Sequence, residues 1–345
     1  MKDLRVGTRG SPLALWQANE VAARIRQTGG PACQIVVIKT SGDRLQDAPL
    51  SEAGGKRLFV KEIEDALLSG DVDMAVHSSK DMPAVLPEGL TIGAVLPRED
   101  PLDAVVLPQH VSLNANAELG DASVMPEASA VSRTVDRIDQ LFALLGEAPV
   151  IGTGSVRRVA QLKRLFPHAR FKQIRGNLDT RLRKLDNGEY DAIILAAAGL
   201  RRLGLASRIA LRIPAPSCLP APGQGIVAIE IRESDDDVRR AVEPINDAVT
   251  SAALQAERAV VETLGGGCQT PVGALVSPGY PDEIELLAVV VSLDGSRAIY
   301  GMAHGMRDEA AAIGARVGAQ LLADGAGEIL AEAGRAMGTV EGTQP

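Results

Sequence analysis

Two stretches of this chain alternate strand and helix signals, and that alternation restricts the fold more than any other feature. In residues 1–97, Leu4-Arg5-Val6 reads as a short strand. Ser11-Pro12 then supplies a helix N-cap followed by proline in the first turn, where its missing N–H is tolerated. Ala14, Ala18, Val21, Ala22 and Ile25 share one face of the helix that follows. Gln34 to Lys39 reads as a β-branched strand, Leu58 to Leu68 as a helix, and Met74-Ala75-Val76 as a strand ending at His77. The stretch from Val150 to Ile213 repeats the pattern. Strands are expected at Val150-Ile151, Phe171 to Ile174 and Ala192 to Ala197, with helices from Ser155 to Phe166 and Leu178 to Leu185. This order predicts an α/β fold with largely parallel sheets.

The organisation expected from these patterns is discontinuous. Residues 1–97 with 222–245 form a first lobe, because the strand signal from Gly225 to Ile231 belongs back with the N-terminal unit. Residues 98–213 form a second lobe, with an insertion at about 109–147 rich in Ala, Ser, Asn and Asp. Within it Val135, Ile138, Leu141, Phe142 and Leu145 have helical spacing. Residues 214–221 begin a Pro-rich hinge (Pro214, Pro216, Pro220, then Pro222), since each proline fixes φ and blocks helix. A smaller α+β unit at 247–345 is expected to have a helix to Leu264, a strand around Leu286 to Val291 and an Ala-rich C-terminal helix.

Charge and composition narrow the partners. Aromatic residues are only 2% of the chain, so a base-stacking platform is not expected. The net charge of −8 repels phosphate backbones, which disfavours nucleic acid and anionic membranes and leaves any anion site to a local cluster. The start of the chain lacks the apolar run of a signal peptide, and Ala192 to Leu200 is too short to span a bilayer. Three cysteines form no disulfide framework, so a reducing cytoplasmic location is expected. A monomer is the expected state. His77, His110, His168 and His304 lack metal-ligand spacing, and no metal is expected.

The cations gather where α/β ligand sites lie, beyond the carboxyl ends of strands. Arg9, Lys80, Arg157, Arg158, Arg175, Arg181 and Arg202 all follow strand signals. Arg157 and Arg158 fall in the first turn of a helix, where cations oppose the helix dipole by about 0.3–1 kcal/mol each. A bound anion removes that conflict; two solvated arginines are the alternative. Asp81, in His77-Ser78-Ser79-Lys80-Asp81, is placed to stabilise a developing cation, or else pairs structurally with a neighbouring cation. Cys268 follows Gly265-Gly266-Gly267, either as a reachable thiol or as a small buried residue in a glycine turn. Cys33 and Cys218 read as structural. Pro222-Gly223-Gln224-Gly225 is no dinucleotide fingerprint.

An ordered series of motifs runs from Arg9-Gly10-Ser11-Pro12-Leu13-Ala14-Leu15-Trp16-Gln17 through Gly54-Gly55-Lys56 and Asp73 to Asp81. It continues with Arg98-Glu99-Asp100-Pro101, Arg175-Gly176-Asn177, Gly188 to Ala192, Pro222 to Gly225 and Gly266-Gly267-Cys268-Gln269. This series resembles the porphobilinogen deaminase family. The resemblance implies two periplasmic-binding-protein-like lobes around a cleft and a third unit carrying the cofactor cysteine. It implies a dipyrromethane on Cys268 as a thioether, extended by four porphobilinogen units with loss of ammonia, then release of hydroxymethylbilane by hydrolysis. Asp81 would be catalytic, stabilising the azafulvenium cation. Ser78, Lys80, Asp81, Thr153, Ser155, Arg157 and Arg158 would contact the cofactor. Arg9, Ser11, Arg175, Arg181 and Arg202 would hold substrate carboxylates, and Gly54 to Lys56 would be a mobile lid.

Three features depart from the family pattern. Gly154 stands where a serine is usual, Gly265 stands where a glutamate is usual, and the 109–147 segment is longer than usual. A non-catalytic two-lobed receptor for an anionic metabolite is the alternative; it has no need of Cys268.

Overall fold

The computed structural model describes residues 2–41, 60–111, 140–266, 270–278 and 282–341. Cys268, Gly54 to Lys56 and residues 112–139 of the expected insertion lie outside the described residues.

The N-terminal strand–helix signals fold as their chemistry directs. β1 (Leu4–Thr8) leads into α1 (Pro12–Gln27), where the Ser11 hydroxyl accepts a hydrogen bond from the Ala14 N–H at 3.3 Å. The α1 face made by Ala18, Val21 and Ile25 is fully buried. β2 (Cys33–Val37) and β3 (Met74–Ser78) flank β1 and run parallel to it, with α2 (Lys61–Leu68) between them in sequence. β4 (Leu90–Val95) closes the far edge of this sheet.

The second sheet is built the same way. β6 (Val150–Gly152), β7 (Arg170–Lys172) and β8 (Ala192–Ala196) are parallel, joined by α3 (Val156–Leu165) and α4 (Leu178–Asp186). After β8 the chain turns directly into α5 (Ala197–Arg202) and returns along β9 (Ile209–Ile213).

Both sheets are mixed rather than largely parallel. β5 (Asp103–Val106) enters the second sheet antiparallel to β8 and β9. β10 (Val227–Arg232) enters the first sheet antiparallel to β3 and β4. The orders are β2-β1-β3-β10-β4 and β7-β6-β8-β5-β9. Only a βαβ crossover forces parallel pairing. β5 and β10 instead arrive straight from the other sheet, and each inserts beside the third parallel strand. The chain therefore crosses between sheets twice, at 96–102 and at 214–226.

The second crossing is no loose tether. Leu219 is buried; its carbonyl accepts from Arg157 Nη1 (2.6 Å) and Gln161 Nε2 (3.0 Å), and its N–H donates to Gln161 Oε1 (2.8 Å). Four prolines restrict this segment, and side chains of α3 then fix it in place.

The third sheet is an antiparallel meander of β11 (Val272–Pro278), β12 (Glu283–Val291) and β13 (Ala298–Met306). α6 (Asp236–Val242) precedes this unit, and α7 (Ala248–Thr263), α8 (Ala310–Ala323) and α9 (Ala326–Glu341) belong to it. α7 and α8 cross at Gly314, where a Cβ would lie 2.1 Å from the Ala256 carbonyl oxygen, so only glycine fits. Glu257 of α7, fully buried, binds this unit to both others. It accepts a bidentate pair from Arg98 (2.6 and 3.2 Å), the Gly223 N–H (2.7 Å) and the Val276 N–H (2.8 Å). Such a fully used buried carboxylate is stable only while every donor stays in place.

Candidate active site

The end of β3 separates two cavities. Past Ser78 the chain tightens into a 3-10 turn, Ser79–Asp81, which points successive side chains in different directions. One cavity is lined by Arg9, Ser11, Gln17, His77, Ser78 and Asp81, among others, all from the first lobe. The other is lined by Ser79 and Lys80 of the first lobe, Ser155 and Arg157 of the second, Pro222 of the crossing, and Arg258 and Thr270 of the third unit. Thr270 stands two positions after Cys268 in the sequence.

The second lobe meets this cavity with α3. Ser155 caps the helix by accepting from the Arg158 N–H (3.4 Å), and the buried Thr153 hydroxyl accepts from the Ser155 N–H (3.3 Å). Both hydroxyls thus have local work. The arginines behind them are buried, at 4% and 6% exposure. The dipole conflict expected for them is relieved from inside the protein, by Asp103 at the head of β5. Arg157 Nη1 donates to Asp103 Oδ2 (2.8 Å); Arg158 donates to Oδ1 through Nε (3.0 Å) and Nη2 (2.7 Å). Arg158 Nη1 is also taken, by the Ile194 carbonyl (2.9 Å), whereas Arg157 Nε is buried without a partner. Burial alone would raise the Asp103 carboxyl, but the two guanidiniums hold it far below the usual carboxylate range.

Lys80, half-buried, completes the cluster. Its Nζ lies 3.5 Å from Gln224 Oε1. Burial, reinforced by Arg158 and Arg157, lowers its pKa to about 8 against the opposing pull of Asp81 and Asp103. Arg181 faces the same charges: burial and Arg158 bring it down to about 10, opposed by Asp81, and its Nε donates to the Gly176 carbonyl (2.8 Å). Asp81 itself is exposed. Arg175 is half-buried in the turn before Gly176, which takes φ +105°. Arg202 points elsewhere. Its Nη2 donates to the Gly225 carbonyl (2.7 Å) and its guanidinium lies 5.7 Å from the Trp16 ring centre.

The residues expected from sequence therefore divide: Arg9, Ser11, Ser78 and Asp81 line the first cavity, Lys80, Ser155 and Arg157 line the second, and Cys268 lies outside the described residues. Four residues were not anticipated: Asp103, Gln224, Gln161 and Glu257. Gln224 lies in the Pro222-Gly223-Gln224-Gly225 motif, but its amide partners are distant in sequence. Behind the first cavity His77 Nε2 pairs with Glu230 at 3.0 Å, both buried, a contact across β3 and β10. Cys218 is fully buried, and burial beside Asp103 pushes its thiol up to about 12, which suits an inert structural residue.

Two mixed sheets, crossed twice and joined along a cationic seam, with a third unit closing one end of it, define a two-lobed α/β protein with a smaller α+β domain. The particular family is equally plain. The family model described as "Porphobilinogen deaminase, dipyromethane cofactor binding domain" matches residues 4–240, and that of the family's C-terminal domain matches residues 252–323. This chain belongs to the porphobilinogen deaminase family. The porphobilinogen deaminase of Bordetella parapertussis is 44% identical over 331 residues, covering 95% of this chain and 96% of the relative. That of Acidithiobacillus ferrooxidans is 45% identical over 328 residues, covering 95% and 97%. Among solved structures, an ancestral cationic amino acid solute-binding protein aligns at 14% identity and TM-score 0.38, over 70% of this chain and 87% of that one.

Proposed function

We propose that this chain is a transferase of tetrapyrrole biosynthesis, condensing four porphobilinogen molecules head-to-tail with release of ammonia and hydrolysing off hydroxymethylbilane. The observation that carries this reading is a family match through all three units, combined with a cationic cavity at the junction of those units.

The cavity's chemistry suits a dipyrromethane anchored on Cys268. That group carries several carboxylates, and the cavity is lined by Lys80, Arg157 and Ser155. When bound, it supplies the pyrrole carbon to which units are added. The residues of the chain do the rest. Arg9, Ser11, Arg175 and Arg181 orient substrate carboxylates by charge-assisted hydrogen bonds. Ser78 and Thr153 bound the site, and Arg158 acts by holding Asp103. Arg202 supports the seam from behind through Gly225. Asp81 is the catalytic carboxylate: at the edge of the first cavity, its oxygens stabilise positive charge on the substrate as ammonia leaves and hold a proton in transit.

The division into 1–97 with 222–245, 98–213, a Pro-rich hinge at 214–221 and 247–345 is our proposal for the domains of the chain. We also assign the chain a cytoplasmic location, a monomeric state and no nucleic-acid partner. Lys80, Arg157 and Arg258 line an interior cavity rather than a surface stripe. The test is ammonia release and hydroxymethylbilane formation by the purified protein given porphobilinogen. Four ammonias per product support the transferase. Saturable binding without ammonia would return the two-lobed receptor.

A further inference from the structure

The cations of the seam come from two lobes, yet they are held by one internal framework. Asp103, fully buried, receives Arg157 on one oxygen, and on the other Arg158 and Gln224 Nε2 (2.9 Å). Gln224, also fully buried, spends its second Nε2 hydrogen on the Pro101 carbonyl (2.6 Å) and turns its oxygen toward Lys80 Nζ (3.5 Å). Asp103 immediately follows the first crossing, and Gln224 lies in the second. The two side chains therefore meet where the lobes are joined, with the arginine pair on one side and the lysine on the other.

We propose that Asp103 and Gln224 are positioning residues for this site, locking Lys80, Arg157 and Arg158 into a single charged unit across both crossings. This rests on the transferase reading above and adds to it. Asp103 satisfies the inner donors of the arginines, so an incoming carboxylate meets only the edge of the cluster facing the second cavity. Arg157 and Lys80 line that cavity. Neither Asp103 nor Gln224 is placed to touch substrate: Asp103 has no exposure and is surrounded by donors of the protein itself. Their effect passes through the cations they hold. An alternative in which they only stabilise the fold predicts lost stability but unchanged properties of whatever protein remains folded.

The cofactor-free chain can be prepared in a host that makes no porphobilinogen, then loaded by adding it. Covalent loading is followed by intact mass against pH, with thermal melting as a check on folding. Gln224→Met keeps the volume and cuts the framework between arginines and lysine. It is expected to load about tenfold to a hundredfold more slowly while still folded, since small misplacements of binding groups cost that much. Asp103→Asn keeps the shape and removes the charge. The groups whose charges act on Lys80 are Asp81, Asp103, Arg157 and Arg158, and Asp103 is one of the two that keep it protonated. Its loss should move the alkaline limb of loading to lower pH, by about half a unit or more. A merely structural Asp103 would lower the whole profile without moving the limb. Loading of Gln224→Met at the wild-type rate, or an unmoved limb in folded Asp103→Asn, overturns the proposal. If Asp103→Asn does not fold, Gln224→Met decides alone. Failure of the wild type to load at all removes the transferase reading and this inference with it.

Discussion

The turns after β1 and β6 occupy equivalent places in the two sheets, and they solve the same problem with opposite charge arrangements. In both, a buried threonine (Thr8, Thr153) ends the strand region and a serine (Ser11, Ser155) caps the next helix. In the first lobe the cation, Arg9, comes before the cap, and the first turn of α1 carries no charge; Arg9 is left beside a cavity. In the second lobe two cations sit inside the first turn, against the dipole, and a buried carboxylate neutralises them. One lobe therefore places a half-buried cation beside a cavity, and the other stores a cation pair around a buried carboxylate. Substituting Arg9 should cost chemistry, and removing the carboxylate that compensates the arginine pair should cost stability.

The largest effect expected is that of Asp103→Ala. Stripping the counter-ion from two buried guanidiniums should cost about 3–5 kcal/mol of unfolding free energy, read from urea denaturation. A loss under about 1 kcal/mol would mean that solvent reaches the pair and that the two turns do not differ as described.

Asp81→Asn should do the reverse. Turnover should fall by about a hundredfold or more, the usual scale of a lost acid–base group, while the melting temperature stays within about 2 °C. Retained turnover would remove Asp81 from the chemistry.

Lys80 gives an intermediate test, because its folded pKa of about 8 lies below the ordinary 10.5. The unfolded chain binds more protons between those values, so this residue's cost to folding is full below pH 8 and fades as pH rises toward 10.5. Wild type should therefore gain stability on Lys80→Met between pH 8 and 10; parallel curves would contradict the burial of this charge. The smallest effects are those of the caps. Ser11→Ala and Ser155→Ala should each cost about 1 kcal/mol, and a much larger loss at Ser155 would show that the cap also steadies the arginine pair.

The sequence carried the local half of this picture. Serine caps, apolar helix faces and the strand ends with their cations are set by residues a few positions apart. The expected return of the Gly225 to Ile231 segment to the N-terminal unit agrees with the pairing of β10 to β3 and β4. What could not be read depends on long-range meetings. Asp103 lies 54 residues before Arg157 and looks like an ordinary strand-start aspartate until the sheet forms. The Pro214 to Pro222 segment has hinge composition but is clamped by α3, whose polar residues gave no sign of their target. β13 was missed because Gly301 and Gly305 interrupt its pattern; they are there to admit Leu321, Val317 and Ile313 of α8.

The central claim is that catalysis proceeds on a group tethered to Cys268, and the intact mass of the purified protein under denaturing conditions tests it most directly. The account predicts excess mass equal to two porphobilinogen units less two ammonias, absent from Cys268→Ala. A wild-type protein of unmodified mass, still unmodified after incubation with porphobilinogen, would contradict it.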